Sequence, residues 1–131
     1  MRSGSKDQLG VVLDAGAFIA VERRNREIVR LVRRFEEEKV PLVTSAGVVA
    51  QVWRGGVRDQ VPVVFLLRKT DVLDLTYRVA RAIGSLLGRR GTSDPVDAHL
   101  VILAQERGWP ILTSDPDDLR VLDPRVVIDE I

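Results

Sequence analysis

The sequence predicts an α/β fold with a mainly parallel sheet covered on both faces, and three observations carry that prediction. Short apolar, β-branched runs ("LGVVL", "PLVT", "ILT") alternate with longer stretches of helical periodicity. Those runs are apolar up to a closing threonine in two of them and do not alternate with charged residues, as suits strands buried on both faces. The 131 residues suit one core, and 45% hydrophobic with 30% charged residues is the composition of a folded globule.

In chain order, residues 1–8 are a flexible lead-in and residues 9–131 a single domain. The start "MRSGSKDQLG" lacks the apolar stretch of a secretory signal. Leu9–Leu13 is a strand that stops at Asp14, and Ala15–Arg23 is helical. Asn25–Lys39 is a second helix, with Ile28, Leu31, Val32 and Phe35 spaced for one face and Asn25 as cap. Pro41–Thr44 is the second strand. Ser45 caps a helix through Trp53, which Gly55 and Gly56 end.

Val57–Lys69 is helical, with Pro62 favouring a start near Gln60. Val72–Leu75 is the third strand, Tyr77–Gly88 a helix, and "GRRGTS" a loop. Asp94–Arg107 has a full set of helix signals: Asp94 at the cap, Pro95 in the first turn, Gly108 as terminator. Ile111–Thr113 is the fourth strand, "SDPDD" a turn, and Val126–Ile128 a fifth strand.

Composition removes several function classes. There is no cysteine, so disulfides, thiolate nucleophiles and Cys-ligated zinc are excluded. No apolar run approaches the roughly 20 residues that span a bilayer, so no membrane partner is expected and the cytoplasm is the expected location. A net charge of +1 gives no global attraction to nucleic acid, so any basic surface must be local. Arg far outnumbers Lys, which suits phosphate but follows equally from genome base composition.

The aspartates carry the chemistry. Asp14 follows the first strand directly, and Asp115 comes two residues after the strand "ILT". In an open parallel sheet, sites lie beyond the carboxyl ends of the strands. Asp97 lies in the first turn of the helix that begins at Asp94, where the helix dipole favours a carboxylate. Acids gathered there raise one another's pKa unless a cation sits between them. Hard oxygens with no Cys and a single His favour Mg²⁺ or Mn²⁺ over zinc. Two such ions at about 3.5–4 Å can flank an in-line phosphodiester displacement. Each residue alone has a plainer role: Asp14 and Asp94 as caps, Asp97 in a capping arrangement, "SDPDD" as a turn with solvated acids.

Four stretches, "VVLDAGAFIAVERR", "VTSAGVVAQVWRGG", "GTSDPVDAHLVILA" and "ILTSDPDDLRVL", together resemble PIN-domain ribonucleases, above all the VapC-type toxins of bacterial toxin–antitoxin pairs. The resemblance runs from about Val11 to Leu122, with the motifs in the family's order. It implies a three-layer α/β/α sandwich with four to five strands. It also implies a metal-dependent endoribonuclease for single-stranded RNA (structured RNA such as tRNA included), Mg²⁺ or Mn²⁺, a homodimer and a cognate antitoxin. The family's catalytic, metal-holding aspartates fall on Asp14, Asp97 and Asp115, and Asp94 and Asp118 match positions that bear on the metal less directly. The family's second acid, a glutamate before "VWRGG", is Gln51 here. Glutamine keeps a carbonyl ligand but loses the charge and cannot act as a general base. The alternative is therefore a weakened or inactive PIN-type module that binds RNA or antitoxin.

RNA needs cations near the acids. Arg89 and Arg90, in the loop leading to Asp94, and Arg54, beside the glycines, are the RNA-binding candidates, with Arg23 and Arg24 further off. His99, two residues beyond Asp97, faces elsewhere and has a surface or partly buried structural role. The helix "NREIVRLVRRFEEEK" sets arginines early and glutamates late, against its macrodipole. Pairs Arg33–Glu37 and Arg34–Glu38 offset this by about 0.2–0.5 kcal/mol each. That face is either solvated or turned to the antitoxin. Trp53 fits core or interface equally. A phosphoacceptor receiver would need an acidic pair after the first strand, and dinucleotide binding a G-x-G-x-x-G after "VVLDAG"; the chain has neither.

Overall fold

A computed structural model of the chain describes residues 9–131; the lead-in over residues 1–8 lies outside them. Five strands form one sheet: β1 (Val11–Leu13), β2 (Leu42–Ser45), β3 (Thr70–Leu73), β4 (Ile111–Thr113) and β5 (Ile128–Glu130). Among the described residues there are seven α-helices: α1 (Ala15–Glu22), α2 (Arg26–Glu37), α3 (Ala46–Val52), α4 (Val61–Arg68), α5 (Tyr77–Arg90), α6 (Pro95–Arg107) and α7 (Pro116–Leu122). A single 3₁₀ turn, Arg58–Gln60, precedes α4.

The strand order is β3-β2-β1-β4-β5, and every neighbouring pair is parallel. β1, β2 and β4 are buried along their whole length; their apolar residues favour this, and the hydroxyls of Thr44, Ser45 and Thr113 are buried with hydrogen-bond partners. The edge strands β3 and β5 are partly exposed. Helix α1 packs on α2, α3 and α4, while α6 packs on α5 and α7, and both α1 and α6 lie on β1 and β4. The result is the expected three-layer sandwich. The chain goes from β1 outward to β2 and β3, then crosses back to β4 on the other side of β1. That reversal opens a crevice at the carboxyl ends of β1 and β4.

Local signals account for most boundaries. Asn25 accepts the Ile28 N–H at 3.1 Å and starts α2. Ser45 accepts the Gly47 N–H at 3.0 Å and starts α3. Gly108 ends α6 at φ +69°, a left-handed conformation that costs glycine little.

Four expectations are corrected. "GRR" is not loop: α5 runs on through Arg89 and Arg90 to Gly91, at φ +68°. Its continuation is favoured by buried Ile83 and Leu86 and by two cations in the last turn. "SDPDD" is the start of α7, with Pro116 in the first turn, Asp117 and Asp118 following, and Leu119 and Leu122 buried. β3 begins two residues before, and β5 two residues after, the expected starts. Finally, Arg33–Glu37 and Arg34–Glu38 form no ion pairs among the described residues; Glu36 instead meets Lys69 at 3.3 Å, tying α2 to the end of α4. Glu27 in the first turn and Arg34 in the last also soften the charge order of α2.

Candidate functional site

β1 delivers Asp14 to the crevice. Its carboxylate is buried and doubly held: Oδ1 accepts the Ala15 N–H at 2.6 Å, and Oδ2 accepts the Thr113 hydroxyl at 2.7 Å. The register explains the second bond, because Leu13 pairs with Leu112 and so sets Asp14 beside Thr113. Thr113 also accepts the Asp115 N–H at 2.9 Å. One hydroxyl thus locks the strand-end acid to the acid of the next loop. Asp115 occupies the cap position of α7, yet its side chain makes no capping bond, so its carboxylate is free for other work.

The third acid comes from α6. Asp94 accepts the N–H groups of Val96 at 2.9 Å and Asp97 at 3.1 Å, which is the cap role expected of it. Asp97 is half-buried in that first turn, close to the Asp94 carboxylate that accepts its backbone N–H. Helix α6 is anchored behind them by His99, fully buried, with Nδ1 2.6 Å from the Ser45 hydroxyl at the end of β2. Gly16, in the first turn of α1, lets that helix press on the β4 loop: a Cβ there would stand 2.6 Å from Ser114 Oγ.

The electrostatics match a cluster of like charges. Burial pushes the Asp97 carboxyl up to about 7, with further push from Asp94, Asp14 and Asp118 and from its hydrogen bond to Asp94. Burial also raises Asp14, against the Thr113 and Ala15 hydrogen bonds and with the help of Asp115 and Asp94. All five sequence candidates therefore bear on one region. They do not close into a cage: among the described residues no three His, Cys, Asp or Glu converge as metal ligands. The donor set still fits a hard cation chemically, since Mg²⁺ is held by one or two carboxylates and retains several waters.

The other candidates are less central. Gln51 is exposed on α3, four residues beyond Gly47 and so on the same face. Gly47 meets Val96 of α6, with a Cβ position 2.8 Å from Val96 Cγ2, which turns that face toward the acidic turn. Arg89 and Arg90 are exposed in the last turn of α5 and form no ion pair among the described residues. Arg54 is exposed, with its guanidinium on the Trp53 carbonyl at 2.8 Å. Sequence reasoning missed Thr113 and Ser45 as supports. The signal for Thr113 was a hydroxyl closing an otherwise apolar strand, two residues before an acid.

The PIN domain family model matches residues 11–123. In fold, the chain is similar to VapBC2 from Rickettsia felis bound to a DNA fragment from its promoter, with TM-score 0.67 and 12% identity, over 93% of this chain and 98% of that one. It is similar to DNA-bound VapBC from Salmonella typhimurium, with TM-score 0.66 and 22% identity over 93% and 98% of the two chains. It is also similar to a toxin–antitoxin complex from Klebsiella pneumoniae, with TM-score 0.67 and 16% identity over 93% and 100%. No curated protein sequence matches it significantly.

Proposed function

The chain belongs to the PIN-domain family, and from that premise we propose that it is a metal-dependent endoribonuclease cutting single-stranded RNA, the toxin of a toxin–antitoxin pair. The observation that carries this reading is the gathering of carboxylates at the β1/β4 crevice: Asp14 is buried at the end of β1, Thr113 ties it to the start of α7 at Asp115, and Asp94 and Asp97 open α6 beside it. A fold retains such a cluster at a cost in stability unless a cation relieves it.

Asp14, Asp97 and Asp115 would hold Mg²⁺ or Mn²⁺, with Asp94 and Asp118 acting through water. When bound, the ion supplies an activated water and neutralises charge on the scissile phosphate. The chain's residues do the rest. Thr113 and the Ala15 N–H aim Asp14, and the Asp94 cap fixes the turn that presents Asp97. Arg89, Arg90 and Arg54 offer guanidinium forks to neighbouring phosphates. A groove of about 710 Å³ between α2 and α4, with Val29, Pro62 and Phe65 on its floor and Arg24, Arg26 and Arg30 on its rim, suits an amphipathic, acidic antitoxin segment. A homodimer is part of the same proposal.

Cleavage of single-stranded RNA should require Mn²⁺ or Mg²⁺, be faster with Mn²⁺ because Gln51 lacks a charge, and stop with EDTA. Asp97→Asn should abolish it. A folded Asp97→Asn protein cutting as fast as wild type would end the carboxylate mechanism.

Gln51 favours a second reading, a PIN-type module that binds RNA or antitoxin without cutting. That reading expects no cleavage and no change in melting temperature with millimolar Mn²⁺ or Mg²⁺.

A further inference from the structure

The loop after α3 reads Trp53-Arg54-Gly55-Gly56-Val57, and the function above uses only Arg54 of it. One buried side chain pins its backbone. Gln60 Oε1 accepts the Arg54 N–H at 2.6 Å and the Gly56 N–H at 3.4 Å. Its Nε2 donates to the Val52 carbonyl at 2.7 Å and to Glu22 Oε2 at 3.0 Å. Both amide donors and both carbonyl lone pairs are engaged, so one side chain holds the loop backbone at Val52, Arg54 and Gly56.

On that support Trp53 stays 40% exposed. Its ring edge rests on Gly56, where a Cβ would stand 2.6 Å from Cη2, and Gly56 itself has φ +69°. Only glycine satisfies both demands. The chain's other tryptophan is employed differently: Trp109 is half-buried, with the Arg107 guanidinium 5.7 Å from its ring centre. Over Trp53 no described side chain places a cation. The location is also specific. Helix α3 starts against the first turns of α6, through Ser45–His99 and Gly47–Val96, and Trp53 closes α3 about 10 Å along its axis.

A partly exposed aromatic ring on a hydrogen-bonded loop, beside a guanidinium and one short helix from a cluster of carboxylates, meets the needs of single-stranded RNA. Bases stack on such rings and phosphates take the cation. We propose that Trp53 is a stacking platform for one base flanking the carboxylate site, with Arg54 on an adjoining phosphate and Gln60 as the positioning residue beneath. This rests on the ribonuclease reading above.

The test is fluorescence anisotropy of a short fluorescein-labelled single-stranded RNA on the full chain in EDTA, where nothing is consumed. Trp53→Ala should weaken binding by about 5- to 150-fold, and Trp53→Phe by less. Removing bases one at a time from the RNA should reveal one position whose loss weakens wild type but adds nothing to Trp53→Ala. Gln60→Met should lose the same base dependence. Circular dichroism checks that each variant is folded, and the abasic series on wild type stands even if Trp53→Ala is not. Equal affinity in folded Trp53→Ala, or no abasic position coupled to Trp53, overturns the proposal. A variant that binds RNA normally but loses dimer or antitoxin assembly overturns it too, assigning Trp53 to a protein contact. Base-dependent binding without Mn²⁺-dependent cutting would remove the nuclease reading alone, and cutting without base dependence would remove the platform alone.

Discussion

Asp97 is the residue whose protonation couples most visibly to the fold. Its folded pKa of about 7 lies above the ordinary 3.8, so between those values the folded chain holds a proton that the unfolded chain lacks. Stability in EDTA should therefore be greatest at low pH and fall as pH rises toward about 7, with Asp14 adding in the same direction. Urea unfolding at several pH values checks this, and Asp97→Asn should flatten the slope. The same proton must leave before a cation binds, so Mn²⁺ affinity should rise with pH up to about 7 and calorimetry should detect released protons. His99 opposes this trend at the acid end. Burial lowers its pKa, so its contribution is whole above about 6.5 and fades as pH falls below that. Thr113 has the simplest role to test. Thr113→Val keeps the shape but strips the hydroxyl from Asp14 and the acceptor from the Asp115 N–H, and should cost about 1.5–3 kcal/mol by urea melt.

Elements explain both what the sequence disclosed and what it withheld. Helix α6 was readable end to end because Asp94, Pro95 and Gly108 are unambiguous punctuation and act as such. α7 was hidden, since Ser-Asp-Pro-Asp-Asp opens a turn and a helix with the same letters, and only the burial of Leu119 and Leu122 decides. The end of α5 was misplaced because Gly88 precedes the glycine that actually turns left-handed, Gly91. β3 and β5 were each displaced by two residues, an error that leaves every side chain on its proper face. That Asp14 closes β1 and that Asp94 caps α6 was legible; the Thr113 bond that holds Asp14 and the Ser45 bond that anchors α6 through His99 were not, because each joins residues far apart in sequence. Contact between elements also supplies a prediction. Gly16→Ala would push α1 off the β4 loop and should destabilise the chain by about 1–3 kcal/mol, seen as a lower urea midpoint.

At the scale of the whole molecule, the sheet order turns separate sequence segments into one chemical surface. If a divalent ion is its natural complement, Mn²⁺ at 100 times its Kd should stabilise the fold by about 2.7 kcal/mol, and Asp14→Asn should remove most of that shift in a thermal melt. Gln51→Glu should move the metal titration to lower concentration and raise cleavage there; identical titrations would detach Gln51 from the site. Among the described residues no helix is long and apolar enough to cross a membrane.

The central pairing of β1 with β4 has a last implication, for the timing of synthesis. Asp14 leaves the ribosome 99 residues ahead of Thr113, whose hydroxyl holds its carboxylate in the fold. A translation product cut short before β4 lacks both Thr113 and Asp115, so its Asp14 carboxylate stands without the hydroxyl that aims it.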